Sequence, residues 1–213
     1  MKTIQIIKKV NNTEVGKGGT HETYILVPQE LDVSEFFPAA DQKIVFHDPI
    51  KNEDEEIRLT IGREKRIVGL GPFYRNYDAS AGDEIVLQKV ISKNSTVHKI
   101  YCKKHLNSLV IQKVKDGFEI LTPERQNLIN DTTVTTIGGE RVPLTLQFQA
   151  SIKKRNDSPT ETKIFDLLVN GISKSANYNS GTTLEIVINN NVATIVSPIT
   201  WKKQIIETED ADR

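Results

Sequence analysis

Apolar and polar residues alternate in short runs along the whole chain, and turn residues interrupt the runs every ten positions or so. This period-2 pattern predicts strands with one buried face, in an all-β sandwich or barrel. Ile4, Ile6 and Val10 give the first strand its apolar face. Residues 11–22 are polar, contain Gly16, Gly18 and Gly19, and read as a long loop. A strand resumes at 23–27. Pro28 ends it and suits the first position of a short helix reaching Phe37, where Pro38 stops it. Strands follow at 43–47, 56–61 and 66–70, with a turn at 62–65 and a single helical turn at 72–75. Segments 83–90 and 97–102 form a hairpin. In the second half, 109–114 and 118–121 are joined by Lys115-Asp116-Gly117, a strong hairpin signal. Strands at 144–152, 163–169, 184–188 and 192–196 complete the pattern.

Three echoes run through the two halves in the same order. Ile4 to Val10 resembles Leu109 to Val114, and Ile25-Leu26-Val27-Pro28 resembles Ile120-Leu121-Thr122-Pro123. Asn76-Tyr77 before Glu84-Ile85-Val86-Leu87 returns 101 positions later as Asn177-Tyr178 before Glu185-Ile186-Val187-Ile188. A tandem duplication of one barrel unit leaves such echoes. So does the small Ile, Val and Leu alphabet of β proteins. The expected division is 1–104, 105–206, and an acidic, apolar-poor tail or linker at 207–213.

Composition narrows the chemistry. The chain has 213 residues, 37% hydrophobic and 26% charged, with 28 basic and 28 acidic residues. The neutral balance is silent about nucleic acid, so any basic site must come from local clustering. No apolar run approaches the ~20 residues needed to span a bilayer. The single Cys102 excludes an intrachain disulfide. With strand pattern starting at the first residues and no signal peptide, the expectation is a cytoplasmic protein. His21, His47, His98 and His105 share no ligand spacing with Cys102, so no metal site is expected. There is no GxSxG turn, and Gly16-Lys17-Gly18-Gly19-Thr20 lacks the Walker spacing.

Four landmarks lie between Lys43 and Val90. They are Ile44-Val45-Phe46-His47-Asp48-Pro49, Glu56-Ile57-Arg58-Leu59-Thr60, the run from Gly69 to Tyr77, and Gly82-Asp83-Glu84-Ile85-Val86-Leu87. With Leu26-Val27-Pro28 entering a short helix, they resemble the B-three-type DNA-binding pseudobarrel. That domain occurs in plant transcription factors and in effector domains of bacterial restriction endonucleases of the EcoRII, BfiI and NgoAVII kind. The bacterial versions look closer, because this chain lacks the longer Arg- and Trp-rich arms of the plant domains. Over residues 3–104 the resemblance implies a seven-stranded open pseudobarrel with two short helices, followed here by a second β-rich domain. It also implies two arms that grip the major groove, at 11–22 and 62–69. The implied role is sequence-specific binding of double-stranded DNA, as the recognition or effector part of a restriction endonuclease. On this reading the chain is non-catalytic, uses no cofactor, and is linked to a nuclease domain outside these residues, where Mg²⁺ would act.

The residues of the arms carry suitable chemistry. Lys8 and Lys9 lead into the first arm and could contact phosphates. Lys17 lies among Gly16, Gly18 and Gly19, which permit close backbone approach to a phosphate. Thr20 and His21 could bond phosphates or base edges, and Glu22 could accept from cytosine N4. Arg58, Arg63, Lys65 and Arg66 cluster at the second arm, and arginine bidentate to guanine is the commonest specific contact. Arg75, Asn76 and Tyr77 form a candidate phosphate clamp. The acidic run Glu53-Asp54-Glu55-Glu56 must then lie on the far side of the barrel. In the second half the counterpart of the second arm is Lys153 to Ser158, and that of the first arm shrinks to Lys115-Asp116-Gly117. The second half is therefore expected to add at most sequence-independent contact. Two other readings stand beside this one. Asp157 and Glu161-Thr162-Lys163 suggest a metal-dependent nuclease in the second half. A protein- or small-ligand-binding barrel is the other, and 6% aromatic residues speak against it.

Overall fold

A computed structural model describes residues 1–17, 22–153, 161–198 and 200–208. The chain is all-β and divides into two units, Met1–Lys104 with Ile199–Arg213, and His105–Pro198. The first unit contains β1 (Lys2–Lys9), β2 (Tyr24–Val27), β3 (Lys43–Asp48), β4 (Glu53–Ile61) and β5 (Lys65–Val68). Helix α1 (Gly71–Asn76), β6 (Glu84–Ile91) and β7 (Thr96–Lys103) follow. The second contains β8 (Ser108–Val114), β9 (Gly117–Ile120), β10 (Val134–Ile137), β11 (Glu140–Ile152), β12 (Thr162–Val169), β13 (Ile172–Ser173), β14 (Thr183–Asn189) and β15 (Val192–Val196). The last strand, β16 (Trp201–Glu207), returns to the first unit and pairs antiparallel with β1.

The two units repeat one strand arrangement. The first sheet runs β16-β1-β6-β7-β3-β4-β5-β2, and only β3 and β7 are parallel. The second runs β8-β14-β15-β10-β11-β12-β9, and only β10 and β15 are parallel. Element by element, β8 takes the place of β1, β9 of β2, and β14 of β6. The first and third sequence echoes fall on the equivalent strands β1 and β8, and β6 and β14, while the second runs from β2 onto the last residue of β9 and beyond it. One difference separates the units. In the second, β9 pairs back onto β8 and closes a seven-stranded ring. In the first, β1 and β2 do not pair, and β16 occupies the edge of β1 that β9 occupies on β8.

Period-2 alternation builds each core. On β4, Ile57 and Leu59 point inward while Glu56 and Arg58 are exposed. Fully buried Phe36, Phe46, Phe73, Ile6 and Ile85 join Ile57 in the first core. Each such side chain contributes roughly 1.5–3 kcal/mol over its exposed state. The second core draws on the inward positions of β8 and its neighbours, with Ile111, Phe118, Leu144, Leu167 and Ile186 buried together.

Three expectations need correction. Residues 29–37 form separate turns and not a continuous helix. Leu31 N–H donates to Pro28 O at 3.1 Å, while Phe36 and Phe37 N–H both donate to Val33 O at 3.0 Å. Asp32 starts the second turn by accepting the Ser34 N–H at 2.9 Å, which breaks continuity with the first. The second unit ends at Pro198 rather than 206, because Trp201 to Glu207 ladder with Lys2 to Lys8. Glu207 belongs to that strand, and Thr208 N–H bonds Met1 O at 3.0 Å, so the acidic tail begins later than expected. Residues 209–213 lie outside the described residues.

Gly69 closes β5 against β4. Its φ is +97°, and a Cβ there would meet Glu56 O at 2.5 Å and Ile57 Cα at 3.3 Å, both backbone. Gly69→Ala is therefore expected to destabilise the first unit by more than ~1 kcal/mol. Urea unfolding checks this, and an unchanged midpoint would show that the strand gives way freely.

Candidate nucleic-acid interface

Two connections flank the short ladder of β2 on β5. Tyr24 lies opposite Val68 and Val27 opposite Lys65. The β1–β2 connection thus enters one end of the ladder, and the β4–β5 turn leaves the other. At ~3.3 Å per residue the two ends are about 10 Å apart.

The β1–β2 connection is anchored before it can project. Residues 11–17 fold into a compact turn in which Val15 N–H bonds Asn11 O at 3.3 Å and Lys17 N–H bonds Asn12 O at 2.9 Å. Glu14, 1% exposed, sits at its centre. Its Oε2 accepts the Asn11 N–H at 2.9 Å, its Oε1 accepts the Leu26 N–H at 2.8 Å, and Lys8 Nζ lies 3.1 Å from Oε1. The Gly82-Asp83 landmark holds the same place from the other side. Gly82 N–H bonds Val10 O at 2.8 Å, and Val10 N–H bonds Asp83 O at 3.0 Å. Buried Asp83 accepts the Ser80 N–H at 2.9 Å and pairs with Lys104 at 2.8 Å. The connection's reach is thus shorter than twelve extended residues would allow. Gly18, Gly19, Thr20 and His21 lie outside the described residues.

Arg66 links the two arms. Its guanidinium bonds Glu64 through Nε at 2.9 Å and pairs with Glu22 at 3.1 Å. It also stacks over Tyr24, 4.2 Å from the ring centroid. Burial raises the Tyr24 phenol pKa, and the nearby arginine opposes that shift. Arg58 and Arg63 are exposed, with no partner among the described residues. The register adds Lys43, which lies opposite Arg58 and pairs with Glu56 at 2.6 Å. Lys43 and Tyr24 were not singled out in the sequence, because strand registers decide their neighbours and periodicity alone does not set register.

Several expected contacts lie elsewhere. Lys8 is buried against Glu14, with its ammonium 5.4 Å from the Trp201 ring centroid, and cannot meet a phosphate. Lys65 donates to Gln29 O and Leu31 O, both at 3.1 Å, and fastens the turn after β2. Lys9 is half-buried on β1, and Lys17 Nζ lies 3.4 Å from Asp78 and 3.3 Å from Ser80 Oγ. Asn76 donates to Glu53 at 2.7 Å, and the Tyr77 hydroxyl donates to buried Asp48 at 2.7 Å. Burial and then this hydrogen bond hold the Tyr77 phenol well above its ordinary pKa. Arg75 is exposed, and its charge partly offsets the rise in the Glu55 pKa that burial causes. Of the three, Asn76 is engaged by the acidic run and Tyr77 by Asp48, while Arg75 stays exposed near Glu55. That run does not lie on a far side. Asp54 and Glu56 share β4's outer face with Arg58; Asp54 lies 2.9 Å from His47 Nδ1, and Glu56 pairs with Lys43.

In the second unit, Glu161 precedes β12 and Lys163 lies on it, and both line a shallow groove with Glu119 and Gln126. Asp157 lies outside the described residues. No group of three or more His, Cys, Asp or Glu suited to a metal ion occurs among the described residues. No helix among them is long and apolar enough to cross a membrane.

No family model and no curated protein matches the chain. Among solved structures, the N-terminal domain of Helicobacter pylori LlaJI.R1 is similar to it at 15% identity and a TM-score of 0.32. The match covers 47% of this chain and 80% of that one. At these values it carries no conclusion about function.

Proposed function

We propose that the first unit binds double-stranded DNA in a sequence-specific way through its two arms, as the recognition or effector module of a restriction endonuclease. The observation that carries this reading is internal to the chain. The second unit reaches the same strand order with only Lys115 and Asp116 between the equivalent strands, so the fold itself does not need a long β1–β2 connection. The first unit keeps one, and it gives up the β1–β2 pairing that closes the second ring. A segment retained against the interest of barrel closure is best explained by a ligand. The arms supply Arg58, Arg63 and Arg66 beside Tyr24, across a span of about 10 Å, and the major groove is ~12 Å wide.

Arg58 and Arg63 are the residues to test, because each is exposed and neither holds the fold. Arg58→Ala and Arg63→Ala are each expected to weaken binding to a preferred duplex. A base-reading arginine costs about 1–3 kcal/mol and relaxes preference at one position, whereas a phosphate contact flattens the salt dependence. Selection from a randomised duplex pool, followed by anisotropy titrations at several salt concentrations, reads both effects. Unchanged affinity and salt slope in the double variant would remove the arms from the interface.

A further inference from the structure

We infer that the second unit binds a small organic anion, a carboxylate or a phosphate monoester, in a pocket walled by β10, β15 and the helical turn Ser175–Asn177. The first unit fills the equivalent place with its own side chains, and that contrast carries the inference. It does not rest on DNA binding by the arms.

Strand registers identify the equivalent positions. Asn177-Tyr178 corresponds to Asn76-Tyr77, so Lys174 stands where Phe73 stands. Glu84 lies opposite Lys103 and Glu185 opposite Val196, which makes Lys99 and Val192 equivalent. Parallel pairing joins these two to His47 and Val134. Asp48 and Thr135 are therefore equivalent, as are Ile100 and Ala193, and Tyr101 and Thr194.

In the first unit this place is closed. Phe73 and Ile100 are fully buried, and the Tyr77 hydroxyl donates to the buried Asp48 carboxylate at 2.7 Å. In the second unit Lys174, Ala193 and Thr194 replace Phe73, Ile100 and Tyr101, and a pocket of about 450 Å³ is left. Pockets of that order accept small molecules. The charge changes sign as well. Thr135 stands in place of Asp48, with its hydroxyl donating to Ala193 O at 2.9 Å, and Lys174 brings an ammonium to the wall. Among the described residues, no aspartate or glutamate lines the pocket.

The wall also offers donors that the protein does not use. The side chains of Lys174, Asn177, Tyr178, Thr136 and Thr194 line the pocket and have no hydrogen-bond or ion-pair partner among the described residues. The Tyr178 ring stands edge-on to Phe118 with centroids 5.9 Å apart, which fixes the phenol in place. The hydroxyl that Tyr77 gives to Asp48 is here left for a ligand. An ammonium with neutral donors around it, and no acid beside it, selects an anionic oxygen group. Val169, Val192 and Ile195 supply the apolar part of the wall, which suits a ligand with an apolar body.

The test titrates the full chain by calorimetry, with amide NMR shifts to locate the site. The probes are adenosine monophosphate and benzoate, with adenosine and benzyl alcohol as their neutral counterparts. At least one anion is expected to bind with a Kd of about 1 mM or tighter and to shift amides of β10, β15 and residues 174–178. Its neutral counterpart should bind about tenfold more weakly, Lys174→Gln should cost about tenfold, and Tyr178→Phe about threefold. Thr194→Tyr restores the first unit's residue, fills the pocket and should abolish binding. Thr194 is exposed, and circular dichroism with urea unfolding checks the fold of each variant. Failure of both anions to bind overturns the inference, as does binding that is unchanged in Lys174→Gln and Thr194→Tyr. Equal affinity for the neutral counterpart overturns the selection of an anion. Displacement of the bound probe by duplex DNA would make the pocket a seat for a backbone phosphate and overturn the small-molecule reading.

Discussion

A chain ending at Pro198 is expected to lose much of the stability of its first unit while the second stays folded. The reason is that β16 fills an edge the barrel needs. Seven residue pairs join Lys2–Lys8 to Trp201–Glu207, and Trp201 packs against the first core. Lys203 bonds Asp32 O at 3.1 Å and pairs with Glu35, so the strand also ties down the turns after β2. Removing it exposes the β1 edge and strips a large aromatic from its site, at a cost of about 3 kcal/mol or more. The thermal midpoint of that unit should fall by on the order of 10 °C. Hydrogen exchange resolves the effect by location. Amides of β1 and β6 should exchange faster in the truncated chain, whereas those of β8 and β14 should not. A point variant, Trp201→Ala, should show the same pattern at smaller amplitude. Equal protection of β1 in the full and truncated chains would mean that β16 rests on the barrel without supporting it.

The role of β16 could not be read from the pattern of residues 201–207. Lys202 and Lys203 interrupt the apolar alternation, and Ile205 and Ile206 are both substantially exposed in the folded chain. An edge strand with no buried stripe leaves no period-2 signal. The central strands were legible for the opposite reason. On β4, Ile57 and Leu59 alternate with charged Glu56 and Arg58, and burial follows that alternation. The repeated arrangement was also visible, in echoes that fall on β1 and β8 and on β6 and β14, with a third that starts at the end of β9. What the echoes could not show was the shared strand order, which depends on pairings between distant strands. The same limit applied to the candidate site. Lys8, Lys65 and Asn76 look like surface ligands in a linear sequence. Their partners, Glu14, Gln29 O and Leu31 O, and Glu53, become neighbours only through the fold. Arg58 and Arg63 kept their exposure because one lies on an outward strand position and the other at a hairpin tip.

Glu14 is the residue whose loss should most affect the first arm. Lys8 and Glu14 are 5% and 1% exposed, and neither can recover solvation without local unfolding. Glu14→Ala leaves the Lys8 ammonium buried without its carboxylate, beside two backbone N–H groups, of Asn11 and Leu26, that lose their acceptor. Breaking one partner out of a buried pair costs about 3–5 kcal/mol, most of it from the charge left behind. The double variant Lys8→Met/Glu14→Leu separates the two consequences. It removes both charges and should restore the part of the stability lost to the stranded ammonium, since a buried ion pair can be replaced by apolar residues of similar size. It cannot replace the acceptor that joins Asn11 to Leu26 across the base of the arm. Stability should therefore return in part while DNA affinity remains several-fold below the parent chain, because an arm without its tie must be ordered on binding. Urea unfolding and anisotropy on the same samples read the two quantities. Recovery of both would make Glu14 a stabilising residue with no part in posing the arm, and a cost below ~1 kcal/mol for Glu14→Ala would show that the site admits water and that the buried pair does not hold the arm.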